Sequence, residues 1–113
     1  MKTVYVAGPM RNYPNYNFPA FFAAQEKLEA EGWKVINPAQ IDIDHGFKLE
    51  DLKDNHDFAN EPPETHLFDI VKRDILALID CTAIYLLKGW ENSQGATAEK
   101  AVAEWLGMKV IYE

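Results

Sequence analysis

The sequence predicts an α/β fold, a single domain with a mostly parallel sheet between two layers of helix. Short apolar runs alternate with stretches of helical spacing, in the order strand, helix, strand, helix, strand, helix, strand. Glycine or proline punctuates most of the junctions. The 113 residues are 48% hydrophobic and 26% charged, which supplies one core, leaves no room for two, and is too apolar for a disordered chain.

Thr3-Val4-Tyr5-Val6-Ala7 is an apolar run closed by Gly8-Pro9, the pattern of a buried strand. Asn17 stands before Phe18-Pro19, where an N-cap belongs and where proline is tolerated in the first turn. Phe21, Ala24 and Leu28 carry helical spacing toward Glu31, and Gly32 is placed to stop that helix. Trp33 to Asn37 reads as the second strand, closed by Pro38. Residues 38–66 lose all periodicity, are polar and acidic, hold Pro62-Pro63, and read as one long loop. Helix resumes with Thr65 as cap and Leu67, Val71, Ile75 and Leu78 on one inner face. Thr82 to Leu87 is the third strand, and Gly89 to Gly95 a turn-rich loop. The last helix, from about Ala96 to Leu106, turns Ala98, Val102, Trp105 and Leu106 inward. Gly107 ends it, and Lys109-Val110-Ile111-Tyr112 completes the set. Such an alternation winds into a three-layer sandwich of flavodoxin- or Rossmann-like wiring. No internal repeat or low-complexity tract interrupts residues 1–113.

Eleven basic against 18 acidic residues give a net charge of -7. Nucleic-acid binders need a basic stripe to displace counterions from phosphates, so no nucleic-acid partner is expected. No apolar run approaches a membrane span, and the N-terminus lacks the basic-then-apolar pattern of a secretion signal. No membrane partner is therefore expected, and a cytoplasmic location is. The single cysteine, Cys81, allows no intramolecular disulfide and no cysteine-rich zinc site. At the start of an apolar run it reads as a small buried hydrophobe.

Parallel sheets bind ligands beyond the carboxyl ends of their strands, which selects loops 8–17, 38–66 and 88–95. In Gly8-Pro9-Met10-Arg11, Gly8 lets a ligand approach the backbone, and Arg11 offers a fork to phosphate or carboxylate. A plain turn with a solvated arginine is the simpler alternative. In Ser93-Gln94-Gly95-Ala96-Thr97-Ala98-Glu99, small residues open a helix whose N-terminal amides would face an anion. Ser93 adds a hydroxyl. Alternatively Ser93 and Glu99 only cap the helix.

Asp74 lies on an apolar stripe between Val71 and Ile75, where a carboxylate must be paired or functional. Its neighbours Lys72 and Arg73 project elsewhere on the helix. Asp80 belongs to the following turn. His45, His56, His66 and many carboxylates fall in 38–66. Asp42-Ile43-Asp44-His45-Gly46 lacks the third oxygen ligand and distal glutamate of a cation loop. It reads as solvated surface, with no metal and no cofactor expected. Tyr5, Tyr13, Tyr16 and Trp90 lie near the ligand side and either line a pocket for a flat base or pack.

Taken together, these segments resemble the nucleoside 2-deoxyribosyltransferase superfamily. The resemblance rests on a strand running into Gly8-Pro9, on Arg73-Asp74-Ile75-Leu76 before the third strand, and on Ser93 to Glu99 after it. Tyr5 to Met10, Asn17 to Phe21 and Val35 to Ala39 are similar to a small phage-associated branch. The superfamily exchanges bases on deoxyribose or hydrolyses deoxynucleoside 5′-monophosphates, with a glutamate attacking the anomeric carbon. The resemblance implies that Glu99 is that nucleophile, that Asp74 meets the departing base, and that Tyr5 orients Glu99. Cleaving an N-glycosidic bond builds positive charge on the sugar, which one carboxylate stabilises while a second acid protonates the leaving group. An apolar setting keeps such an acid protonated near neutral pH.

Two departures refine the expectation. The transferases hold the sugar 5′-hydroxyl with an acidic residue where this chain has Gln94. The monophosphate hydrolases instead place a phosphate-binding serine six residues before the glutamate, the spacing of Ser93 and Glu99. A nucleoside 5′-monophosphate ligand follows, with Arg11 and the 95–97 backbone as further phosphate contacts. The transferases also complete their site from a neighbouring subunit's C-terminal extension. This chain stops at Glu113, so full transferase activity is not expected. The resemblance implies a homodimer. The competing reading is a non-catalytic module that senses a nucleotide, since function resides in sites and not in folds.

Overall fold

The computed structural model describes residues 2–44 and 67–113. Strands β1 (Thr3–Ala7), β2 (Lys34–Ile36), β3 (Ala83–Leu86) and β4 (Lys109–Tyr112) form one sheet in the order β2-β1-β3-β4, and every neighbouring pair is parallel. Helices α1 (Phe18–Ala30), α2 (Pro38–Asp44), α3 (Leu67–Ile79) and α4 (Gln94–Trp105) complete an α/β, Rossmann-like sandwich, as the alternation predicts.

Side chains of β1 alternate between two cores. Val4 and Val6 meet Phe18, Phe21, Ala24 and Leu28 on the α1 side. Tyr5 and Ala7 meet Leu78 of α3 and Ala96 and Ala103 of α4 on the other. Burial on both faces explains why β1 and β3 read as continuous apolar runs. The chain leaving β1 crosses to β2 on one side, and that leaving β3 crosses to β4 on the other. The order therefore reverses between β1 and β3, and a ligand crevice is expected outside their carboxyl ends. Gly32 (φ 92°) and Gly107 (φ 75°) stop α1 and α4 in the left-handed conformation, as expected.

Four expectations need correction. Residues 38–44 are helix and not loop. Buried Asn37 caps α2 by accepting the Ala39 N–H at 2.9 Å, while its amide donates to Gln25 at 3.0 Å. Seven residues are too few to show a period, but Asn37, Pro38 and Gln40 are a helix-start signature. Thr65, Pro62-Pro63 and the three histidines lie outside the described residues.

Asn17 does not cap α1 with its side chain. It sits at φ 59° and its amide donates to the Pro9 carbonyl at 2.9 Å. Asn15 and Tyr16 before it are also left-handed, both at φ 53°. That conformation costs a non-glycine residue roughly 1–2 kcal/mol. Burial of the Tyr16 ring in the core that holds Phe18 and Phe21 offsets it.

The inner faces of α3 and α4 also differ from expectation. Ile75 and Leu78 point inward, but Val71 is 51% exposed. Trp105 is 87% exposed, Ala98 and Leu106 are exposed, and α4 packs through Ala96 and Ala103 with Val102 at the margin. Small alanines let α4 lie close to the sheet, and the bulky residues are left outside. The helix also begins at Gln94, two residues before the expected start.

Cys81 is buried, its thiol donates to the Ala77 carbonyl at 3.4 Å, and burial pushes it up to about 11. Among the described residues no helix is long and apolar enough to cross a membrane.

Candidate active site

Three elements bring Tyr5, Asp74 and Glu99 together. Tyr5 sits in the middle of β1, paired with Ile36 and Ile84 on the flanking strands, and is fully buried. Its side chain points to the α3/α4 side, where its hydroxyl donates to Glu99 Oε2 at 2.5 Å. Asp74 reaches the same region from α3, and its buried Oδ1 accepts no hydrogen bond among the described residues.

The electrostatics of the cluster follow from burial. Desolvation, with the negative charge of Asp74, pushes Glu99 up to about 8, against the lowering effect of the Tyr5 hydrogen bond. Desolvation and then Asp42 push Asp74 up to about 7, while Arg73 pulls it down. Burial, then Glu99, Asp74 and Asp42, hold the Tyr5 hydroxyl well above its ordinary range. Tyr5 therefore stays a proton donor. The two carboxyls titrate as a pair across neutrality, so one proton is shared between them in that range. Donation from Tyr5 favours the ionised form of Glu99. Glu99 titrates the higher of the two, so the arrangement with Glu99 ionised and the proton on Asp74 Oδ1 is the less populated form of the singly protonated pair.

Sequence reasoning missed Asp42 and Arg73. Asp42, expected as solvated surface, hydrogen-bonds through Oδ1 to an Arg73 guanidinium nitrogen, and its side chain is only 13% exposed. Arg73 does not project away from Asp74, since its Nε lies 3.9 Å from Asp74 Oδ1. The helix-start signature at 37–40 was the available signal for α2. The pairing itself joins residues 31 apart and is a product of the fold.

The phosphate-side residues fall around the ends of β1 and β3. Ser93 is the N-cap of α4 and accepts the Ala96 N–H at 3.1 Å. Its own proton remains available to an anion. Ala96 is buried with its amide committed to Ser93, and the Thr97 amide bonds the Ser93 carbonyl at 2.9 Å. The expected 95–97 contacts thus shift toward the amides of Gln94 and Gly95, which donate no hydrogen bond among the described residues. A Cβ on Gly95 would meet only Ser93 Oγ, at 4.0 Å, so this face of the turn is open.

Gly8 has a different basis from the one expected. A Cβ there would lie 2.7 Å from that of Leu87, so packing of the β1 end against the β3 end already demands glycine. Pro9 is buried, and Met10 packs on the α1-side core. Arg11 is exposed on the same loop. Gly89 approaches Tyr13 and Pro9, which joins the two loops. Trp90 packs against Tyr112, ring centroids 6.0 Å apart, with the Lys100 ammonium 5.3 Å from its ring. Trp90 and Tyr112 line a cavity of about 210 Å³ that Tyr5, Asp74 and Glu99 do not line. Among the described residues no group of three or more His, Cys, Asp or Glu side chains is arranged to hold a metal ion.

The fold and cluster define a Rossmann-like α/β protein with a half-buried pair of carboxyls packed against β1. A family profile matches residues 2–61 and 59–112, nearly the whole chain, and the chain belongs to that family, the domain of unknown function DUF4406. No functionally curated protein matches it.

Proposed function

We propose that the protein cleaves the N-glycosidic bond of a nucleoside or deoxynucleoside 5′-monophosphate, by hydrolysis or base exchange. The observation that carries this reading is the Tyr5 hydroxyl on Glu99 with the unpartnered Oδ1 of Asp74 in the same cluster. That is the division of labour a retaining glycosidase needs. The resemblance of residues 73–76 and 93–99 to the nucleoside 2-deoxyribosyltransferase superfamily supports it.

In this reading the ionised oxygen of Glu99 attacks the anomeric carbon as the bond to the base breaks. The Asp74 proton passes to the departing base nitrogen. A water or a second base then attacks the same carbon, Glu99 leaves, and Asp74 recovers a proton. Tyr5 holds Glu99 at one oxygen and leaves the other to react. Ser93 and the first amides of α4 bind the 5′-phosphate, with the helix dipole adding to the attraction, and Arg11 reaches it from the β1 loop. The protein works as a homodimer, and the exposed Trp105, Leu106 and Leu76 are apolar surface that a second copy would cover.

The test is product analysis. Ribo- and deoxyribonucleoside 5′-monophosphates are incubated with the protein, with and without free base, beside Glu99→Ala. Free base released without acceptor, only by the intact glutamate, is the expected result. Exchange only on adding base would make the protein a transferase. Binding without cleavage, unchanged in Glu99→Ala, would replace the catalytic reading with a nucleotide sensor.

A further inference from the structure

Among the described residues Arg73 is the cation paired with Asp74, and its terminal nitrogen is already committed elsewhere. Its terminal nitrogen donates to Asp42 Oδ1, a contact that joins α3 to α2. Its Nε, 3.9 Å from Asp74 Oδ1, is too far for a hydrogen bond. Neither that Nε nor that Oδ1 has a hydrogen-bond partner among the described residues, and both atoms are buried. A buried donor and a buried acceptor this close would ordinarily pair, because leaving both bare costs free energy. The pull of Asp42 on the far end of the guanidinium accounts for the gap.

We infer that Asp42 and Arg73 are positioning residues, an ion pair that holds the arginine beyond hydrogen-bonding distance of Asp74 so that Asp74 retains the proton it gives to the departing base. The inference rests on the glycosidic reading for its purpose, and on the geometry for its mechanism. An arginine bonded directly to Asp74 would fix it as a carboxylate, useless as an acid. With its charge shared with Asp42, the arginine leaves Asp74 close to neutral surroundings. Among the described residues, the titratable and charged groups facing Asp74 are Tyr5 from β1, Asp42 from α2, Arg73 from α3 and Glu99 from α4. The opposing effects of Asp42, which raises Asp74, and Arg73, which lowers it, agree with the geometry. Asn37 belongs to the same device, because its cap on Ala39 starts the helix that carries Asp42.

The signature is a pair of opposite shifts. Asp42→Asn removes the anion and releases Arg73 toward Asp74, so Asp74 should titrate lower by about one pH unit. Arg73→Gln removes the cation that lowers Asp74, so Asp74 should titrate higher by a similar amount. The double variant should return within about 0.3 unit of the parent. Titration of the Asp74 carboxyl carbon by NMR reads this on the free protein, whether or not a substrate is known. Where nucleotide turnover is found, the pH profile of kcat/KM should move in the same sense in each single variant. Shifts in one common direction, or none in variants that fold, would overturn the inference. If Asp42→Asn does not fold, the upward shift in Arg73→Gln alone decides it. Absence of turnover in the parent would count against the glycosidic reading and leave the titration result standing.

Discussion

Tyr5, Asp74 and Glu99 place three polar groups where the fold could have placed leucines, and the consequence is a stability that depends on pH. Glu99 titrates near 8 in the folded chain and near 4.5 when unfolded. Its folded value is raised, so the fold disfavours the charged form. The resulting destabilisation grows as pH rises from about 4.5 to about 8 and is constant above that. Glu99→Gln should therefore be more stable than the parent above pH 8, by about 2 kcal/mol, and show little difference near pH 4. Denaturation curves at the two pH values check this, and equal shifts at both would refute it. Catalysis should follow a bell with limbs near 7 and 8, because the pair must hold one proton. Below the lower limb both carboxyls are protonated, above the upper limb both are ionised, and between them the reaction draws on the singly protonated form with Glu99 ionised and Asp74 protonated. Tyr5→Phe removes a hydrogen bond to the charged glutamate, worth about 1.5–3 kcal/mol, so kcat should fall roughly 10- to 100-fold. A variant whose rate matches the parent would remove Tyr5 from the mechanism.

At the scale of elements, α4 separates capping from ligand binding. Ser93→Ala should cost about 1 kcal/mol, because Ser93 Oγ satisfies the Ala96 amide. Gly95→Ala should be neutral or stabilising by about 0.5–1 kcal/mol, since alanine suits a helix and its Cβ enters open space. Both should weaken binding of a nucleoside monophosphate relative to the nucleoside. Opposite effects on stability with the same effect on ligand would place the phosphate at this turn. Unchanged monophosphate affinity in Gly95→Ala, measured by calorimetry, would remove it. Elements with strong local signals were legible in advance, as the two-sided apolar runs of β1 and β3 and the stopping glycines 32 and 107 illustrate. What misled was alanine. It is apolar enough to face either way, so the pattern in α4 favoured the large Trp105 and Leu106 over Ala96 and Ala103. Asp74 was legible as a candidate because it interrupts an apolar stripe, and Glu99 through the resemblance carried by residues 93–99. Asp42 was not, since its meaning depends on an arginine that only the fold brings near.

The whole molecule converges on the reversal of strand order between β1 and β3, and Gly8 is where that convergence is tested. Its missing side chain leaves space for Leu87, whose Cβ a new methyl would approach to 2.7 Å. The obstructing atom is next to the backbone of the strand that carries the chain toward Ser93, so it cannot swing aside. Gly8→Ala should push the ends of β1 and β3 apart at a cost of about 1–3 kcal/mol. Because the loops bearing Arg11 and Ser93 diverge there, ligand affinity should fall in the same variant. Gly89→Ala is the control. Its close neighbour at 2.6 Å is the Tyr13 hydroxyl, the far end of a side chain that can move, and its φ of 89° makes the penalty a backbone one of about 1 kcal/mol. Urea denaturation of the two variants distinguishes the readings of Gly8. If the glycine exists for ligand approach alone, Gly8→Ala should keep full stability and lose only binding. A loss of stability larger than that of Gly89→Ala is the expected outcome. It would mean that the crevice is shaped by the packing of two strand ends before any ligand arrives.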